Sequence, residues 1–113
     1  MIILNNISLS ELKKMMPNFF GDLVKAVVDI DRQLVALDAQ LHVDLEELLL
    51  EEGSKQKDLW GINLYPDLFG TDNFIEFDSM INIRPSHNNN SRNVEDEETR
   101  KQIITIISKS VQQ

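Results

Sequence analysis

The sequence has no cysteine, which excludes disulfide stapling, thiolate catalysis and thiolate metal sites. Glycine is scarce, at four residues, and none of them builds a phosphate-cradling loop. Apolar runs are only a few residues long, too short to span a bilayer. The N-terminus, MIILNNISLS, lacks the basic start, the sustained apolar region and the small-residue cleavage site of a signal peptide, so a cytoplasmic location is expected. His42 and His87 are the only histidines, and neither has nucleophile-elbow or triad spacing to a Ser or Asp.

Basic residues are also in deficit. Eleven Lys and Arg face nineteen Asp and Glu, giving a net charge of −8. Residues 1–43 hold four basic and five acidic side chains, residues 44–78 two and ten, and residues 79–113 five and four. The middle third carries the whole excess. Such a surface repels phosphate backbones and anionic bilayers, so neither a nucleic-acid nor a membrane partner is expected.

What remains is ordinary globular material: 113 residues, 42% hydrophobic and 27% charged. This is the size and composition of a single domain, residues 1–113, with room for one modest core.

Met1–Leu4 reads as a short strand leading into a well-marked helix start. Ser8 and Glu11 have capping-box spacing, Ile7 and Leu12 are placed as a staple, and Pro17 stops the helix. In LVKAVVDID, period-two alternation predicts a half-buried strand, and LVALDAQL returns as its hairpin partner or as a helix. HVDLEELLLEEG predicts a second helix, with Asp44 as its cap and Gly53 at its stop. Glu51 and Glu52 oppose its dipole, with Lys55 and Lys57 just beyond as the offset.

SKQKDLWGINLYP predicts a third strand, and its Trp60 reads as core or as an interface anchor. FIEFDSMINIRP has the most regular alternation in the chain, with Ile75, Phe77, Ile81 and Ile83 on one side and Glu76, Asp78, Asn82 and Arg84 on the other. PSHNNNSRNV is a turn-rich, low-complexity stretch before a last helix from about Glu95. The expected fold is α+β: a largely antiparallel sheet of four to five strands with three helices, in the order βαββαββα, the helices on one face.

Two places can carry chemistry. One is the run Arg84, Ser86, His87, Ser91 and Arg92. Guanidiniums, hydroxyls and backbone amides near a helix N-terminus favour an anion. The plain alternative is an exposed loop whose arginines pair with Glu95–Glu98 or Asp78. The other is the polar strand face of Glu76, Asp78, Asn82 and Arg84, with Asn63 and Tyr65 beside it. Asn82 stands out there, because a mid-strand amide needs a reason. Asp29 with Asp31, and His42 with Asp44, are carboxylate-bearing pairs of a kind that acidity alone produces, so no metal and no cofactor is expected.

The segments KQKDLWGINLYP and IEFDSMINIRPSHNNNSRNVED resemble the signature segments of a family of small uncharacterised bacterial proteins, a domain of unknown function. The resemblance runs over most of the chain. It implies no activity, cofactor or catalytic residue, and directs attention to Asp78–Arg92.

Two functional readings follow. The first is a non-enzymatic binding or interaction module that holds an anionic small molecule or a partner protein's acidic segment with Asp78, Asn82, Arg84, Ser86, His87, Ser91 and Arg92. The alternative is a small hydrolase or transferase in which Asp78 is the base and Arg84 and Arg92 hold a phosphate or carboxylate.

Overall fold

A computed structural model describes residues 1–113. Its elements are β1 (Ile2–Leu4), β2 (Ile7–Ser8), α1 (Leu9–Met15), β3 (Val24–Asp29), β4 (Leu34–Leu37), α2 (His42–Glu51), β5 (Leu59–Leu64), β6 (Ile75–Glu76), α3 (Glu97–Ser110) and β7 (Val111–Gln112). Five strands form an antiparallel sheet in the order β1-β4-β3-β5-β6. β2 and β7 form a separate parallel pair that ties the two ends of the chain together. The architecture is α+β. No helix is long and apolar enough to cross a membrane.

Local signals explain much of this. The Ser8 hydroxyl accepts the Glu11 N–H at 3.1 Å, and the Glu11 carboxylate returns to the Ser8 N–H, completing the capping box of α1. Pro17 falls in a single 3-10 turn, Met16–Asn18, where the helix ends. LVALDAQL takes the strand alternative as β4, and the hairpin is set by Asp29. The Asp29 carboxylate is fully buried and accepts the N–H groups of Asp31 and Arg32 at 3.0 and 2.9 Å and the Ser54 hydroxyl at 2.6 Å. That engagement makes the Asp29 carboxylate the device that holds the turn at Asp31 and Arg32.

Both faces of the sheet are covered, not one. Val24, Ala26, Val28, Ile62 and Leu64 alternate onto the face packed by Leu12 of α1 and by Ile103 and Ile107 of α3. Val27, Ala36 and Leu59 point the other way, against Leu45 and Leu49 of α2. The near-continuous burial of β3 and β5 reflects this two-sided cover.

Three local expectations are corrected. α2 begins at His42 with Leu41 before it and no side-chain cap, so Asp44 lies inside the first turn instead of capping it. The C-terminal carbonyls of α2 are met by Arg32, whose Nη1 donates to Glu52 O at 2.9 Å; this, rather than Lys55 or Lys57, answers the helix dipole. Gly53 then leaves the helix at φ 99°, a left-handed value that glycine accepts without strain.

The third correction matters most for function. FIEFDSMINIRP is a strand only at Ile75–Glu76. Beyond it the Ser79 hydroxyl accepts the Ile81 N–H at 3.3 Å and opens a 3-10 turn, Met80–Asn82, and a second turn follows at Pro85–His87. The alternation therefore breaks. Ile75 and Phe77 pack against the core under α3, Ile81 packs on the α2 side, and Ile83 is exposed.

Candidate functional site

The segment after β6 covers the edge of β5 that β6 leaves open, because β6 pairs only with Asn63 and Leu64. Asn82, fully buried, accepts the Gly61 N–H at 2.8 Å and donates to Gly61 O at 2.9 Å. Its amide also donates to Arg92 O at 3.0 Å. Ser79 closes over Gly61 so tightly that a Cβ there would lie 2.5 Å from the Ser79 side chain. One step along, the Arg84 guanidinium donates to Gln56 O and Leu59 O and lies 4.2 Å from the centroid of the Trp60 ring. Burial lowers the Arg84 pKa, opposed by Glu46, and burial raises the Glu46 carboxyl against the pull of Arg84 and Gln56. Asn82 and Arg84 are thus the fastening of the sheet edge, which answers why an amide sits at position 82.

The Asn-rich loop is built the same way. Asn88 takes a left-handed φ of 61°, and Arg84 and Asn89 exchange both backbone hydrogen bonds, at 2.7 and 3.1 Å. The buried Asn89 amide donates to Asn82 O and Asn93 O, both at 2.7 Å, and its oxygen accepts the Glu95 N–H at 2.8 Å. Ser91 donates to the Glu95 carboxylate at 2.8 Å. That hydroxyl and the Asn90 N–H hold the Glu95 carboxyl below its usual range. Ser86 and His87 stand on the exposed turn that follows Arg84, where the His87 N–H donates to Arg84 O at 2.9 Å.

Of the seven residues singled out from the sequence, the structure brings Asp78 and Arg92 together, as a partly exposed ion pair at 2.5 Å. Around this pair lies the uncovered end of the α2 face. Asn63 and Tyr65 donate to the Glu76 carboxylate at 2.8 and 3.1 Å across the β5–β6 ladder. Lys25 stands opposite Asn63 on β3, with its ammonium 5.1 Å from the Phe20 ring centroid.

The electrostatics bind these groups into one cluster. Burial lowers the Lys25 pKa and Arg92 lowers it further, while Asp78 and Glu76 act the other way. Tyr65 is raised to about 12 by burial and by Glu76. His42, at the start of α2, has Nε2 2.8 Å from Ile62 O, and burial brings its pKa down to about 4, so it is neutral at pH 7. Lys25 was not among the sequence candidates, and His42 entered only through its pair with Asp44. Alternation along LVKAVVDID puts Lys25 on the same face as Val27 and Asp29, which is the signal that finds it.

On the other side of β6 an apolar cleft of about 410 Å³ runs between Phe69, Phe74, Ile75 and Phe77 and the α3 residues Ile104 and Ile107. Phe69 and Phe74 meet edge to face at 5.2 Å. No three His, Asp or Glu side chains are grouped so as to hold a metal ion.

No curated protein and no solved structure matches the chain. Residues 1–110 match the family described as protein of unknown function (DUF5674), and the chain belongs to that family.

Proposed function

We propose that the chain is a non-enzymatic binding module and that the uncovered end of its α2-side face receives an anionic group between Arg92 and Lys25. The carrying observation is the Asp78–Arg92 pair. Both side chains are about half exposed, at 54% for Arg92 and 41% for Asp78, and a second cation, Lys25, lies within electrostatic reach. An exposed ion pair of this kind contributes only ~0–1 kcal/mol, so a carboxylate or phosphate replaces Asp78 at Arg92 at small cost. Asn63 and Tyr65 hold the Glu76 carboxylate beside the two cations, at 2.8 and 3.1 Å.

The position of Arg84 supports a module over a phosphate- or carboxylate-processing enzyme. An enzyme using Asp78 as base needs Arg84 and Arg92 on one substrate, and the Arg84 guanidinium is engaged with Gln56 O, Leu59 O and the Trp60 ring. The test is a thermal-shift series with inorganic phosphate, citrate and succinate on the parent chain and on a Lys25→Met, Arg92→Ala variant. Stabilisation of the parent that the variant loses is the expected result. A parent that shifts with none of these anions contradicts the reading.

A further inference from the structure

The outer edge of β6 is bare. Tyr65 N–H donates to Phe74 O at 2.9 Å, and Asn63 stands opposite Glu76. Antiparallel alternation therefore turns the N–H and C=O groups of Phe74 and Glu76 towards β5, and those of Ile75 and Phe77 away from it. β6 has no second neighbour in the sheet, and no loop or side chain bonds to the main chain of Ile75 or Phe77. Alongside this edge runs the apolar cleft between Ile75, Phe77 and the α3 residues Ile104 and Ile107. An edge strand and a helix separated by an apolar trough are the elements that take up an extended segment as an added strand. Main-chain hydrogen bonds hold such a segment, and alternate side chains select it.

We propose that this edge docks an extended apolar–basic–apolar segment of a partner protein as an additional strand beside β6. Period-two alternation sets the pattern. The two flanking side chains enter the cleft with Ile75 and Phe77, while the central one emerges on the opposite face beside the Glu76 carboxylate. A Lys or Arg fits there. Asp22 and Asp78 add negative charge around Tyr65 and Glu76, set against the cations Lys25 and Arg92. A second copy of this chain fits worse, because a two-fold pairing of β6 with itself puts Glu76 opposite Glu76. The inference goes beyond the anion-binding reading and does not depend on it, since the segment's main-chain bonds and apolar side chains are met by the outer edge of β6 and the cleft, not by Lys25 or Arg92.

The probes are two acetylated, amidated pentapeptides, Thr-Val-Lys-Val-Thr and Thr-Val-Glu-Val-Thr, titrated into the nitrogen-15-labelled full chain and followed by amide NMR. The Ile75 and Phe77 amide signals should move most, and the Lys peptide should bind about 3- to 10-fold more tightly than the Glu peptide. Glu76→Lys should reverse that order. If this variant does not fold, the parent still decides, because its preference for the Lys peptide must shrink as salt is raised. Several results overturn the proposal: no movement at millimolar peptide, equal binding of both peptides, or movement centred on Lys25 and Arg92. Equal shifts from N-acetylvaline amide, a lone apolar molecule, also overturn it, as do Ile75 and Phe77 signals that move with protein concentration alone, which would mark a second copy.

Discussion

The Asn82 side chain makes with Gly61 the two hydrogen bonds that a continued β6 would make, accepting its N–H at 2.8 Å and donating to its C=O at 2.9 Å. One amide thus stands in for a length of backbone, and the sheet edge is closed where β6 has already turned away. Arg84 continues the substitution at Leu59 and Gln56.

Asn82→Ala should lower the unfolding free energy by about 2–3 kcal/mol, because it leaves a buried donor and acceptor on Gly61 without partners. Asn82→Asp should be worse. It removes the donor and turns a carboxylate oxygen towards Gly61 O and Arg92 O. Urea unfolding followed by Trp60 fluorescence measures both; equal stability of the parent and Asn82→Ala would remove the edge-closing role.

Gly61→Ala should destabilise by about 1–3 kcal/mol through steric overlap with Ser79, which a Cβ would approach to 2.5 Å. The double variant Gly61→Ala, Ser79→Gly should recover part of the loss. A double-mutant cycle with no coupling between the two positions would contradict the close approach.

Arg84→Lys should fail to replace Arg84, lowering stability by about 1–3 kcal/mol in the same unfolding assay. A single ammonium reproduces neither the fork to Gln56 O and Leu59 O nor the planar stack on Trp60. A Lys variant as stable as the parent would reduce Arg84 to a surface charge.

His42 makes stability depend on pH. Its pKa is lowered from 6.5 to about 4, so the fold favours the neutral ring. That contribution is complete above the unfolded value and is lost as pH falls from 6.5 through about 4, about 3 kcal/mol in all. Glu46 works in the opposite sense: its raised pKa gives a contribution present at low pH and lost as pH rises through the folded value. Subtracting the stability–pH curve of His42→Gln from that of the parent isolates the histidine. A difference curve that is flat between pH 6.5 and 4 would contradict its burial as a neutral group.

What was legible in the sequence was local. The capping box at Ser8 and Glu11, the alternation of LVKAVVDID and the stop at Gly53 each rest on residues a few positions apart, and each predicts what forms there. FIEFDSMINIRP misled because its alternation is real in the sequence but is overridden after Glu76 by a turn that Ser79 initiates. The reason for that turn lies in β5, where Gly61 alone leaves room for Ser79. Asn82 was visible as an anomaly, yet its partner is 21 positions away, and no periodicity reports such a contact. Arg84, Arg92 and Asp78 were likewise legible as charged candidates, whereas their separation into a buried fastening and an exposed pair depends on the fold. Lys25 joined them through the β3–β5 register, which the sequence leaves open.

The most direct test of the proposed anion site compares the two arginines in one sample. A titration of the full chain with inorganic phosphate and with citrate, followed at the arginine Nε–H signals, should move Arg92 as Asp78 is displaced and leave Arg84 in place. An Arg92 signal that stays fixed in the folded chain, or an Arg84 signal that moves in its stead, would contradict the account.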